Sequence, residues 1–330
     1  MKKFVFGPVN SRRLGISLGI DIVPKKVCNL NCIYCEVGPT TSKIKNRAYY
    51  TSWEDIKEEF ISALKEFTFD VVTITGSGEP TLNLHIANIV HEIKKITDKP
   101  LVLLTNSLLF TSPEVRNEVQ EFNIIVPSLD AALPKDFLKI DRPVYPVEPA
   151  DIIHGLSLLR KEFLGQIWLE VLLCKNINDS PEAIQALHKA INKIKPDKIQ
   201  LHTVNRPPIT AIEEGHILLD LALNNEDLQK VKVDLNVNFE VEVIRPHPQL
   251  PLKSDNATQP INGKGQNAQI FEHTQERILE HLKRRPASIN DLTIGLNIDK
   301  TLLLKHILAL QKNNIIKPIN YNNREMFTLI

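Results

Sequence analysis

The chain has 330 residues and an almost balanced charge, 40 Lys and Arg against 39 Asp and Glu. With 42% hydrophobic and 24% charged residues it falls near soluble globular averages, which excludes a highly charged disordered chain and a general electrostatic binder of nucleic acid. Four cysteines exclude a disulfide scaffold, and no apolar run approaches the ~18 residues of a membrane span. Met1–Phe6 carries two lysines but no apolar signal region. The expectation is a cytoplasmic protein in a reducing compartment, with no membrane partner.

Strand and helix signals alternate along the chain. Gly15–Val23 is a mostly apolar run. Ser52 followed by Asp55 reads as a capping box, opening a helix to about Phe67. Asp70–Thr75 is β-branched and apolar, as a buried strand is. A helix over Leu84–Ile96, a strand over Leu101–Thr105 and a helix opened by Ser112-Pro113-Glu114 follow. Asn123–Pro127 is the next strand, then a helix around Ala150–Phe163 and a strand over Gln166–Leu173. Ser180-Pro181-Glu182 opens a helix ending near Ile194. Asp197–His202, a polar helix near Asn225–Val231 and a strand over Phe239–Val243 complete the series. Six strand–helix pairs in order predict an α/β fold with a parallel sheet, curled into a partial or complete β/α (TIM-like) barrel. Chemistry on such a sheet belongs at the C-terminal ends of its strands.

Residues 246–270, rich in Pro, Asn, Gln, Gly and Ser without apolar period, read as a linker. They divide a body over residues 1–245, with 29 basic and 32 acidic side chains, from a module over 271–330, with 9 basic and 6 acidic. In the module, Thr274–Arg284, Ser288–Leu292 and Lys300–Lys312 are helical in pattern, and Ile315–Ile330 reads as strand, turn, strand. Three helices and a hairpin in about 60 residues resemble a small winged-helix domain. Such domains dock nucleic acid through the third helix and wing. Here the third helix holds only Lys300, Lys305 and Lys312, so a protein-docking role competes.

The strongest local signal is Cys28-Asn-Leu-Asn-Cys32-Ile-Tyr-Cys35, a C-x3-C-x2-C triplet just beyond the first predicted strand. Thiolates suit zinc, copper(I) or iron–sulfur clusters. Three close thiolates can hold three irons of a [4Fe–4S] cube and leave the fourth iron open. The alternative is zinc, completed by a nearby His or by distant Cys174. Cys174 otherwise reads as a buried apolar cysteine.

The triplet, with Tyr34 just before its last cysteine, resembles the signature of the radical S-adenosylmethionine (radical SAM) superfamily. The resemblance spans roughly residues 4–245 and implies a β/α barrel, one [4Fe–4S] cluster held by Cys28, Cys32 and Cys35, and SAM on the open iron. Reductive cleavage of SAM then yields a 5′-deoxyadenosyl radical that abstracts a substrate hydrogen. The resemblance implies a reductant such as flavodoxin or ferredoxin.

Gly76-Ser77-Gly78-Glu79-Pro80, after the second body strand, resembles the family's element for the methionine ammonium, in its Gly-x-Gly-Glu-Pro form. Glycines allow close backbone approach and a carboxylate suits an ammonium; an ordinary turn with a solvent Glu is the plain reading. Asn106 after the third strand, and Ser128 and Asp130 after the fourth, resemble positions that meet the SAM ribose and carboxylate; helix capping is the competing role. Glu170, a lone acid in an apolar strand, matches a polar SAM contact. Lys175, Asn176 and Arg206 end later strands. Tyr49, Tyr50 and Trp53 suit loop packing better than base stacking.

Gly7-Pro8-Val9-Asn10-Ser11-Arg12-Arg13-Leu14-Gly15 and Ser17-Leu18-Gly19-Ile20-Asp21, together with the cysteine triplet and Arg206-Pro207-Pro208, resemble the branch related to wybutosine tRNA-modifying enzymes. Arg12 and Arg13 suit phosphate. With Cys174 the only other cysteine, a second three-cysteine cluster is impossible, which argues against the wyosine-forming reaction itself. The expected activity is radical SAM modification of RNA, tRNA in particular; modification of a protein or peptide, and an iron–sulfur or metal-sensing nucleic-acid-binding regulator, are the alternatives.

Overall fold

The computed structural model describes residues 4–210, 221–244, 266–296, 298–321 and 324–330, with residues 266–273 described by backbone alone. An edge strand β1 (Val5–Ser11) turns back into β2 (Gly15–Asp21). Short β3 (Val27–Cys28) and β4 (Ser42–Lys43) frame the cysteine loop. Helices then alternate with strands: α1 (Trp53–Glu66), β5 (Val71–Thr75), α2 (Ile86–Lys94), β6 (Leu101–Thr105), α3 (Pro113–Glu118), β7 (Ile124–Pro127), α4 (Pro134–Ile140), α5 (Pro149–Glu162), β8 (Gln166–Leu173), α6 (Pro181–Ile194), β9 (Lys198–Thr203), α7 (Asn225–Leu235) and β10 (Glu240–Val243).

Local chemistry sets the boundaries. Ser52 Oγ accepts the Asp55 N–H while the Asp55 carboxylate accepts the Ser52 N–H, which satisfies two orphan donors at the start of α1. Ser112 and Ser180 cap α3 and α6, each with proline at the first helical position where no N–H is needed. Lys195 and Asn236 end α6 and α7 in the left-handed conformation.

One sheet runs β1-β2-β5-β6-β7-β8-β9-β10. All neighbouring pairs are parallel except β1–β2, so the expectation of parallel strands holds with one antiparallel edge added. The sheet's two ends, β1 and β10, are not neighbours, which makes the barrel partial rather than complete. On the outer face Leu18, Ile20, Val72, Ile74, Leu101 and Leu103 are fully buried against helix residues such as Ile56, Phe60, Ile86 and Ile89. Burial of each such side chain is worth about 1.5–3 kcal/mol before chain entropy is counted. On the inner face Leu14, Val71, Val102 and Val126 cluster with Trp168. Contacts from β2 round to β8 on one face require that face to be concave. The same face also buries polar side chains: Ser17, Asp21, Thr73, Gln200 and His202.

Residues 246–265, most of the expected linker, lie outside the described residues. Helix α8 (Gln266–Arg284) starts within the segment read as linker. With α9 (Ile289–Leu296), α10 (Lys300–Lys312) and the antiparallel hairpin β11 (Ile316–Tyr321) and β12 (Arg324–Leu329), it surrounds a second apolar cluster that includes Ile278, Leu282, Leu292, Leu303, Ile307 and Phe327. Helices α8 and α9 lie against β1 and so cover the sheet's antiparallel edge.

Candidate active site

The cysteine loop leaves β2 and crosses the C-terminal ends of the parallel strands. Two backbone bonds tie it to the turn after β5: Lys26 N–H donates to Ser77 O at 2.7 Å, and Glu79 N–H donates to Val27 O at 3.0 Å. Gly78 makes this approach possible, because a Cβ there would stand 2.0 Å from Val27 O. The glycine of this turn is thus required by the cysteine loop itself.

Cys28, Cys32 and Cys35 are all half-buried, and Cys174 is buried in the core as expected. Polar donors point at two of the three sulfurs: Lys26 Nζ lies 3.3 Å from Cys35 Sγ, and Asn106 Nδ2 lies 3.8 Å from Cys28 Sγ. Burial pushes the Cys28 thiol up to about 12, with Glu79 adding to the effect. Burial and Asp141 push Cys32 well above its usual range. Thiolates at such positions need a bound cation. Asn29 Nδ2, beside Cys28, is buried without a partner among the described residues, and an anionic cluster at this place satisfies a donor of that kind. Among the described residues no three His, Cys, Asp or Glu side chains are gathered to hold a single metal ion. A cube uses one thiolate per iron and needs no common centre. The donor set fits an iron–sulfur cluster.

Glu79 is 2% exposed and is not the solvent-facing turn acid of the plain reading. Its Oε1 accepts from Thr81 N–H, Thr81 Oγ–H and Thr105 Oγ–H, and its Oε2 accepts from Asn106 N–H at 2.8 Å. Burial raises its pKa even against these four donors. Asn106 donates from Nδ2 to Asn29 Oδ1 at 2.7 Å. Tyr34, Asn106, Ser128 and Asp130 line one small cavity with Leu30 and Asp141. Tyr34 Oη–H donates to Asp130 Oδ2 at 2.5 Å, and Leu172 N–H donates to Asp130 Oδ1 at 2.8 Å. Burial raises the pKa of both Asp130 and Asp141, and the charge of Asp130 adds to the effect on Asp141.

The other candidates separate from this group. Gly76 and Ser77 face a larger cavity of about 510 Å3. Glu170 sits on the inner face of β8, where it pairs with Arg13 and its Oε1 accepts from His202 Nε2–H at 2.9 Å. Burial, reinforced by Arg13, holds His202 down to about 3, so the ring is neutral. Trp53 packs edge-on against Phe60, and Tyr50 packs near Val23 and Val27; exposed Tyr49 tilts against His85. Lys26, Asn29 and Asp141 carried no expected role at the site, and Asp21 stood only within the branch motif; Asn29, inside the cysteine triplet, and Asp21, at a strand's C-terminal end, had a positional signal.

Residues 22–188 match the radical SAM superfamily. A protein from Brachyspira hyodysenteriae named GTPase Obg is 38% identical over 91% of this chain, which spans 41% of that protein. A UPF0026 protein from Methanocaldococcus jannaschii is 34% identical over 71% of this chain and 75% of its own length. The Dual-specificity RNA methyltransferase RlmN of a Caulobacter species is 27% identical over 56% of this chain and 48% of its own. A crystal structure of a radical SAM methyltransferase from Sphaerobacter thermophilus superposes with a TM-score of 0.51 at 14% identity, over 69% of this chain and 66% of that one, a likeness of fold. The chain belongs to the radical SAM superfamily, a class of enzymes that uses a [4Fe–4S] cluster and S-adenosylmethionine. Among the described residues no helix is long and apolar enough to cross a membrane.

Proposed function

We propose that this chain reductively cleaves SAM at a single [4Fe–4S] cluster and directs the resulting chemistry to RNA, with tRNA the favoured substrate. Cys28, Cys32 and Cys35 hold the cluster. Tyr34, the turn of Gly76, Gly78 and Glu79, and Asn106, Ser128 and Asp130 position SAM, and Glu170 reaches toward it from the inner face of β8. Bound together, cluster and SAM supply a hydrogen-abstracting radical. The chain's own residues bind, orient and shield it. The observation that carries the SAM reading is the pair of backbone bonds fixing the Gly76–Glu79 turn against the cysteine loop. A metal-sensing regulator has no use for a buried acid held beside its cluster by four donors.

The RNA reading draws on the similarity to an RNA methyltransferase and on the basic residues of α8 at the sheet edge. Residues 266–330, beginning with α8, form a winged-helix unit, in a protein of the branch related to the wybutosine enzymes. Flavodoxin or ferredoxin supplies the electron, in the cytoplasm. The third helix of that unit exposes Leu302, Leu304 and Leu308 beside Lys305, so α8 rather than α10 is the better candidate for an RNA contact. Comparing modified nucleosides in total RNA from cells with and without this protein tests the proposal. One nucleoside should disappear in the deletion and return on complementation, but not with Cys28→Ala. An unchanged nucleoside profile contradicts an RNA substrate and leaves protein or peptide modification.

A further inference from the structure

The cavity of about 510 Å3 lies between the inner face of β1, β2 and β5 and the side of α8. Its base is polar, with Ser17 Oγ and Thr73 Oγ1 2.6 Å apart and Asp21 nearby. One wall is apolar, from Phe6, Val9, Leu14 and Leu104. Its rim carries six arginines, Arg12, Arg13 and Arg206 from the barrel, Arg277 and Arg284 from α8, and Arg285 directly after that helix. Glu36 and Val37, directly after Cys35, lie on the same rim.

Four of these cations are engaged. Arg13 pairs with Glu170. Arg284 pairs with Asp21 at 3.0 Å, and Arg277 lies 6.0 Å from the Phe67 ring centre. Arg206 takes both nearby carboxylates, Glu36 at 3.4 Å and Asp291 at 3.8 Å. Among the described residues no carboxylate pairs with Arg12 or Arg285. Arg285 is held down to about 10, first by the charge of Arg206 and then by burial. Arg12 is held down to about 10 by burial and then by Arg206. Two further nitrogens on the cavity wall, Arg206 Nε and His281 Nε2, are buried without a partner. Buried donors in folded proteins are normally satisfied. Unmet donors among mutually repelling guanidiniums favour an anion with several acceptor oxygens.

We propose that this cavity binds a phosphate-bearing nucleotide unit, its phosphate gripped by Arg12 and Arg206 from the barrel and by Arg285 just past the end of α8. The proposal names the substrate end of the site described above and rests on that reading. The volume is that of an ordinary small-ligand site, the guanidinium forks match phosphate oxygens, and the apolar wall accepts the uncharged part. The site is composite, which gives the C-terminal helices a direct part in substrate capture. Phosphate can arrive as part of an RNA chain or as a free nucleotide.

The test uses the reconstituted full-length protein saturated with SAM, which keeps probes out of the SAM site. Binding of bulk tRNA, adenosine 5′-monophosphate and adenosine is measured over a range of salt. At least one phosphate-bearing probe should bind more than about tenfold tighter than adenosine. Arg12→Gln and Arg285→Gln should each weaken that probe about tenfold or more with iron content unchanged, and reduce the tRNA salt slope by about one per arginine. Arg12→Lys keeps a point charge but loses the fork, should still weaken binding severalfold, and serves if Arg285→Gln fails to fold. Binding of the monophosphate without tRNA keeps the phosphate site and removes the RNA reading. No binding of either phosphate-bearing probe, or variants that bind like the wild type, overturns the proposal.

Discussion

Arg284 of α8 reaches across the sheet edge to Asp21 at the end of β2, with Nη1 3.0 Å from Oδ2. The same Asp21 carboxylate accepts the Ser77 N–H at 3.1 Å and the Ser77 Oγ–H at 2.6 Å. One carboxylate therefore joins the C-terminal helices to the turn that lies against the cysteine loop. Removing one partner of a well-buried ion pair costs about 3 kcal/mol, because the other charge is left behind. Asp21→Asn should lower the thermal midpoint of the protein and weaken SAM binding through the loosened Ser77 turn. A variant with wild-type melting and SAM affinity contradicts this linkage.

Glu79 makes a different prediction from that of an exposed turn acid. Glu79→Gln replaces one acceptor oxygen by an NH2 group facing donors, at a position 2% exposed. Unsatisfied buried groups cost on the order of 1–3 kcal/mol each. The variant should lose stability by about that amount in urea unfolding, keep its iron, and bind SAM about ten- to a hundredfold more weakly. Wild-type stability with wild-type SAM binding returns Glu79 to a turn residue of no consequence.

Much of this arrangement was legible in the sequence because its signals are local. Strands β6 and β8 match their expected limits, and the serine–proline caps place α3 and α6. Strand β1 has no strand signal in the sequence, because Val5–Ser11 contains Gly7, Pro8 and Asn10, residue types depleted in strands. It is an edge strand whose register shifts between Phe6 and Val9, so its pairing tolerates those residues. Helix α4, seven residues long, is too short for a clear period. The triplet was visible because its cysteines are neighbours. The 3.7 Å contact of Cys32 Sγ with Asp141 joins residues 109 positions apart, and no single sequence displays that proximity.

His281 gives the fold an acid sensitivity. Burial, followed by the charges of Arg285 and Arg206, holds its pKa down to about 3 against a usual 6.5; Asp291 opposes and Arg284 adds to the effect. The unfolded chain therefore binds a proton here that the folded chain refuses. The stability contributed is present above about pH 6.5 and is lost as pH falls from there toward 3. Between pH 7.5 and 5 the wild type should lose about 2 kcal/mol more in urea unfolding than His281→Asn. Equal losses contradict a buried neutral imidazole.

The account turns on what Cys28, Cys32 and Cys35 hold, and anaerobic reconstitution followed by reduction in the presence of SAM measures it directly. One cube predicts about four irons per chain and release of 5′-deoxyadenosine, both abolished when the three cysteines are changed together to alanine and both retained in Cys174→Ala. Tight zinc without iron, a chromophore that survives the triple change, or an iron-loaded protein that leaves SAM intact would contradict it.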